Sequence, residues 1–91
     1  MFLKDPEAVV DYQVDWSAAL AGALTIASSS WTVTPTEAGG VVVAGAGVDG
    51  RAATARLGGG IAGHVYRVGN RVTLSDGSID ERSLVIRVED R

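Results

Sequence analysis

The last third of the chain decides the fold: "HVYRVGNRVTL" (64–74), "SDGS" (75–78) and "IDERSLVIRVEDR" (79–91). In the first run Tyr66, Val68, Val72 and Leu74 fall on one side of an extended backbone, with Asn70 between them. In the last run Arg82, Leu84, Ile86 and Val88 share one face, and Glu81, Ser83, Val85 and Arg87 share the other. Successive side chains of a strand point to opposite faces, so a period of two marks a half-buried strand. The Asp76-Gly77 pair between the runs is a tight-turn signal. The two runs therefore read as one long hairpin.

The same pattern extends upstream. "VDYQVDW" (10–16) puts Tyr12, Val14 and Trp16 on one face and Asp11, Gln13 and Asp15 on the other. "SAALAGAL" (17–24) reads as a short turn or loop, because Gly22 ends any helical turn begun at Ser17. In "LTIASSSWTVTP" (24–35) the alternation of Ile26 is out of phase with that of Trp31 and Val33, and Ser28, Ser29 and Ser30 sit at the change. A bulge or break there reconciles the phases. Pro35 ends the strand, since it has no N–H for a ladder. "TEAGG" is a turn, "VVVAGAG" a strand, "VDGR" a hairpin turn at Asp49-Gly50, "AATARL" a short returning strand and "GGGIAG" a flexible connection. About six or seven short strands, with turn signals every ten residues or so, predict an all-β antiparallel sandwich or barrel.

The totals agree. The 91 residues make one small domain, without cysteine to add disulfides or a thiolate metal site. Eight basic against eleven acidic residues leave a formal charge of −3. That balance argues against nucleic acid as a partner, which calls for clustered Lys and Arg. Five of the arginines fall in the last 25 residues, but Asp and Glu are interleaved with them, as on a mixed-charge strand face. No run approaches the roughly 20 apolar residues of a membrane span, and "MFLKDPEAVV" does not read as a signal peptide.

One motif points elsewhere. Gly45-Ala46-Gly47-Val48-Asp49-Gly50 follows three valines and matches G-x-G-x-x-G, the dinucleotide-binding fingerprint. That fingerprint works only where the glycines open a helix whose N-terminus meets the pyrophosphate. Here "RAATARL" and three glycines follow, too little for a crossover helix, and the first acid after Gly50 is Asp76. The glycines read instead as turn and bulge positions.

Other chemistry is thin. His64, the one histidine, stands at a strand start without cysteine partners. Asp76, Ser78 and Asp80 mimic the start of a calcium loop, but its sixth position holds Glu81 and its twelfth Arg87. The stretch reads as a charged hairpin tip. Trp16 and Trp31 fall in phase with apolar neighbours and read as core. Tyr66, near the start of the penultimate strand, takes the place of the tyrosine that hydrogen-bonds back to the corner backbone in Ig-like sandwiches. No catalytic residue, metal or cofactor is expected.

At this point "KDPEAVVDYQVDW", "SSSWTV" and "GGGIAGHVYRVGNRVTLSDGSIDERSLVIRVEDR" together resemble a family of short bacteriophage and prophage structural proteins, the phage fibre–tail adaptor or minor virion proteins. The most specific block runs from Tyr66 through Asn70-Arg71 and Asp80-Glu81-Arg82-Ser83-Leu84 to Val88. The resemblance implies a small Ig-like antiparallel β-sandwich and a non-enzymatic virion component, made in the bacterial host cytoplasm. Its implied partners are other virion proteins of head, neck, tail or fibre, with further copies of itself in the particle, and neither nucleic acid nor membrane. The family carries over no catalytic or ligand residues. The expected contacts are Lys4 and Asp5, in an N-terminal stretch (1–8) that is either an arm on a neighbouring subunit or a frayed end, and Asp76, Asp80, Glu81 and Arg82 at the hairpin tip. The alternative is a carbohydrate-binding sandwich aiding attachment to the host surface, which requires Trp16 or Trp31 exposed.

Overall fold

The computed structural model describes residues 2–90. Seven strands form in order: β1 (Phe2–Lys4), β2 (Val10–Asp15), β3 (Ile26–Thr34), β4 (Val42–Asp49), β5 (Ala52–Gly58), β6 (Val65–Leu74) and β7 (Ile79–Val88). One 3-10 turn, Ser17–Ala19, lies in the loop read as a turn. A four-stranded sheet, β1-β7-β6-β3, faces a three-stranded sheet, β2-β5-β4. The protein is thus an all-β sandwich, elongated to 43 × 20 × 20 Å.

The β6–β7 hairpin runs from Val65 opposite Arg87 to Thr73 opposite Ile79. On β6 the alternation is strict: Tyr66, Val68, Asn70, Val72 and Leu74 are buried, while Val65, Arg67 and Arg71 are exposed. The phase change in β3 is a register shift between Ile26 and Ser28, and the strand ends at Thr34, before Pro35. The β4–β5 hairpin closes through Gly50 and Arg51, with Asp49 opposite Ala52. Gly50 has φ +61°, as primed two-residue turns require. G-x-G-x-x-G therefore lies in a β-hairpin with a strand, not a helix, behind it.

Two apolar clusters fill the space between the sheets. One gathers Val41, Ala55, Leu57, Tyr66, Val68, Ile86 and Val88. The other gathers Trp16, Leu20, Ala53, Val72 and Leu74. Trp31 packs against both. The small inner residues of β5, Ala53 and Ala55, leave room for these large rings.

Two expectations need correction. Residues 2–4 are neither an arm on a neighbour nor a frayed end: they form β1, paired in parallel with β7, Phe2 opposite Ile86 and Lys4 opposite Val88. Met1 lies outside the described residues. The glycine connection after β5 is also not a flexible spacer. Gly59 has φ +71°, and a Cβ on it would stand 2.4 Å from the Gly40 carbonyl oxygen. A Cβ on Gly60 would stand 2.7 Å from a Val88 methyl. Two backbones cross in contact here, which glycine alone permits.

Candidate functional site

The antiparallel layout sends the connections to two opposite ends. Residues 5–9, 35–41 and 59–64 gather at one end, and residues 16–25, 50–51 and 75–78 at the other. The expected contacts divide between them: Asp76, Asp80, Glu81 and Arg82 come together at the hairpin tip, while Lys4 and Asp5 lie at the far end of the 43 Å long domain.

At the tip, Asp76 Oδ1 accepts from the Ser78 backbone N–H (2.9 Å) and hydroxyl (2.6 Å). Those bonds hold its carboxyl below the ordinary aspartate range. Asp76 is thus the cap of its own turn, and Gly77, at φ +88°, completes it. The Ser75 N–H donates to the Thr25 carbonyl, and the Thr25 N–H to Ser75 Oγ, which fastens the tip to the β2–β3 loop. Asp80 and Glu81 are exposed beside it. Arg82 does more than face solvent. Its guanidinium lies 4.7 Å from the Trp16 ring centroid and donates to the Asp15 carbonyl at 3.0 Å. A cation over an aromatic face is attracted by the ring quadrupole. Arg82 therefore ties the hairpin to the end of β2.

Trp16 is fully buried, and its indole N–H donates to Asn70 Oδ1 at 2.8 Å. Asn70 in turn donates to Ser29 Oγ (2.9 Å) and the Ser30 carbonyl (3.1 Å). One amide thus links both sheets, and the serines at the β3 phase change supply its acceptors. Trp31 is half-buried and its Nε1 is enclosed without a partner. The exposed tryptophan that a sugar platform requires is absent at Trp16, because the inward phase of β2 carries it into the core.

At the other end Lys4 departs from expectation. It is 1% exposed, and its ammonium donates to the Asp5 and Gly59 carbonyls. Burial lowers its pKa, and the nearby Asp5 opposes that shift. A lysine stem can cover apolar surface while its head finds carbonyls; here the head clamps β1 onto the glycine crossing. Lys4 is no surface contact. Asp5 turns inward on its own segment, with Oδ1 accepting from the Glu7 N–H at 2.8 Å.

Beside that crossing is a group of residues far apart in sequence. Glu37 Oε1 accepts from the Tyr66 hydroxyl at 2.5 Å and lies 2.8 Å from His64 Nδ1. The Ile61 N–H donates to Tyr66 Oη at 3.2 Å, the return bond to the corner backbone expected of this tyrosine. The Tyr66 bond first, then His64, holds Glu37 below the ordinary glutamate range. Burial first, then Glu37, raises the Tyr66 phenol. The three side chains fasten the β3–β4 loop to the β5–β6 loop. Sequence reading found Tyr66 but not Glu37, whose only local signal was a carboxylate in a turn.

The outer face of the three-stranded sheet carries a trough of about 490 Å³ bounded by Asp11, Gln13, Gly45, Gly47, Thr54 and Arg56. Arg56 Nε donates to Asp11 Oδ1 across it at 3.0 Å. Gly45 and Gly47 have no positive φ, and a Cβ on either would meet nothing closer than 3.7 Å. The turn reading holds at Gly50 and the bulge reading at Gly45, where the β4–β5 register shifts between Val43 and Gly45, although neither Gly45 nor Gly47 needs a glycine's φ.

A family model described as podophage GP4 fiber-tail adaptor protein gp77 matches residues 4–87. No curated protein matched the chain.

Proposed function

We propose a role that starts from kinship: the chain belongs to the podophage fiber-tail adaptor family, and it acts as a non-enzymatic virion component that joins a fibre protein to the tail. An adaptor needs two separate surfaces on a body stiff enough to hold them apart. The observation that carries the reading is the bipolar layout, with loop clusters at both ends of a rod 43 Å long. Each end is tied internally, by Asp76, Ser75 and Arg82 at the tip and by Lys4, Glu37 and Tyr66 opposite. Pre-ordered loops lose little conformational freedom on binding, which favours affinity.

The domain is Ig-like in this reading. Lettering the strands A to G in chain order, β2-β5-β4 is the B-E-D sheet and β3-β6-β7 the C-F-G sheet of that fold. The first strand departs, pairing with the last instead of the second. The Tyr66 bond to Ile61 supports the same assignment.

At the tip, Asp80, Glu81 and the exposed edge of Arg82 form a polar contact for one partner. The test is binding of the purified domain to the fibre and tail proteins of the same phage, separately and together. The expected result is binding to each and a ternary complex. Asp80→Ala/Glu81→Ala should weaken one partner at least tenfold and spare the other. Binding to neither protein would remove the adaptor reading.

A further inference from the structure

The two outer sheet faces carry opposite charge. On the four-stranded sheet the outward positions of β6 and β7 hold Arg67, Arg71 and Arg87 against Glu81. On the three-stranded sheet they hold Asp11, Asp15 and Asp49 against Arg56, with Arg51 in the turn near Asp15. Glu89 answers Arg87 at 2.8 Å, and Glu81 stands opposite Arg71 in the register. Arg67 has no such neighbour: Val85 is opposite it on β7 and Thr34 on β3. Among the described residues neither Arg67 nor Asp49 makes an ion pair or a side-chain hydrogen bond.

We propose that copies of this chain stack face to face, the arginine face of one copy against the carboxylate face of the next. Arg67 of one copy enters the trough over Gly45 and Gly47. There Arg56 occupies Oδ1 of Asp11, leaving Oδ2 to accept from the incoming guanidinium. The occupant is a second copy because both halves of the contact are on this chain, with complementary charge. The two halves are different surfaces, so the contact is heterologous. It propagates into a closed ring or an open filament and does not stop at a two-fold dimer. This inference stands apart from the adaptor reading, since either can fail alone.

A charge-swap experiment tests it by sedimentation velocity and light scattering. The wild-type chain should form species larger than a dimer at low ionic strength, and these should dissociate as salt rises. Arg67→Glu/Arg71→Glu and Asp11→Lys/Asp49→Lys should each be monomeric and folded by circular dichroism, with melting lowered only by the like charges they set opposite Glu81 and Arg56. Mixed in equal amounts, the two variants should reassociate, because each swapped face now meets a complementary one. A monomeric wild type at high concentration and low salt overturns the proposal. So does association that either variant leaves intact, or folded variants that stay monomeric when mixed.

Discussion

Asn70 and Tyr66 each satisfy several buried groups with one side chain. Asn70→Leu keeps the branched shape but removes the acceptor of Trp16 and the donor to Ser29 and Ser30. The expected loss is about 1–3 kcal/mol, the cost of a buried N–H left without a partner, read as a lower urea midpoint at unchanged slope. Tyr66→Phe removes a hydroxyl that accepts from Ile61 and donates to Glu37; about 1–2 kcal/mol should be lost. It should also change the acid limb. Glu37 is depressed in the folded state, so its contribution is complete above the ordinary glutamate pKa and is lost as pH falls through the lower folded value. Denaturation midpoints between neutral pH and pH 3 should therefore fall less steeply in Tyr66→Phe than in the wild type. Parallel curves would contradict this linkage. Sequence placed Tyr66 and Asn70 on the buried face because both keep the phase of β6. It could not pair Tyr66 with Glu37, because the turn that delivers the carboxylate has no periodicity to read. Lys4 was read outward because lysine is rarely buried; its two carbonyl acceptors exist only once β1 and the Gly59 crossing are assembled.

At the scale of elements, the glycines divide into two kinds. Gly59→Ala meets the Gly40 carbonyl at a positive φ, and should cost roughly 3 kcal/mol or prevent folding. Gly45→Ala enters open space and should stabilise by about 0.5–1 kcal/mol, since glycine in a strand carries an entropic cost. Thermal melts of the two variants should move in opposite directions; a lower melting temperature for Gly45→Ala would show that its place in β4 is conformationally required. Strands β6 and β7 were legible because ten-residue alternations leave no competing period. The β3 bulge was legible because Ile26 and Trp31 could not share a face without one. β1 was not: three residues carry no period, and a parallel partner some 80 residues away leaves no local trace.

At the scale of the molecule, the sandwich is a short rod with ordered loops at each end and oppositely charged flanks. In the roles proposed above, the ends take two different partners and the flanks take further copies of the chain. Repeated copies turn modest contacts into firm attachment by avidity. The division of the contact residues between two ends was invisible in the sequence, since it depends on which way each strand runs. The most direct measurement is immunogold electron microscopy of particles from the phage that encodes this chain, with an antibody to the folded domain. Label confined to the junction of fibre and tail is the expected result. Label elsewhere on the particle, or none on intact and partly disrupted particles, would contradict the adaptor role.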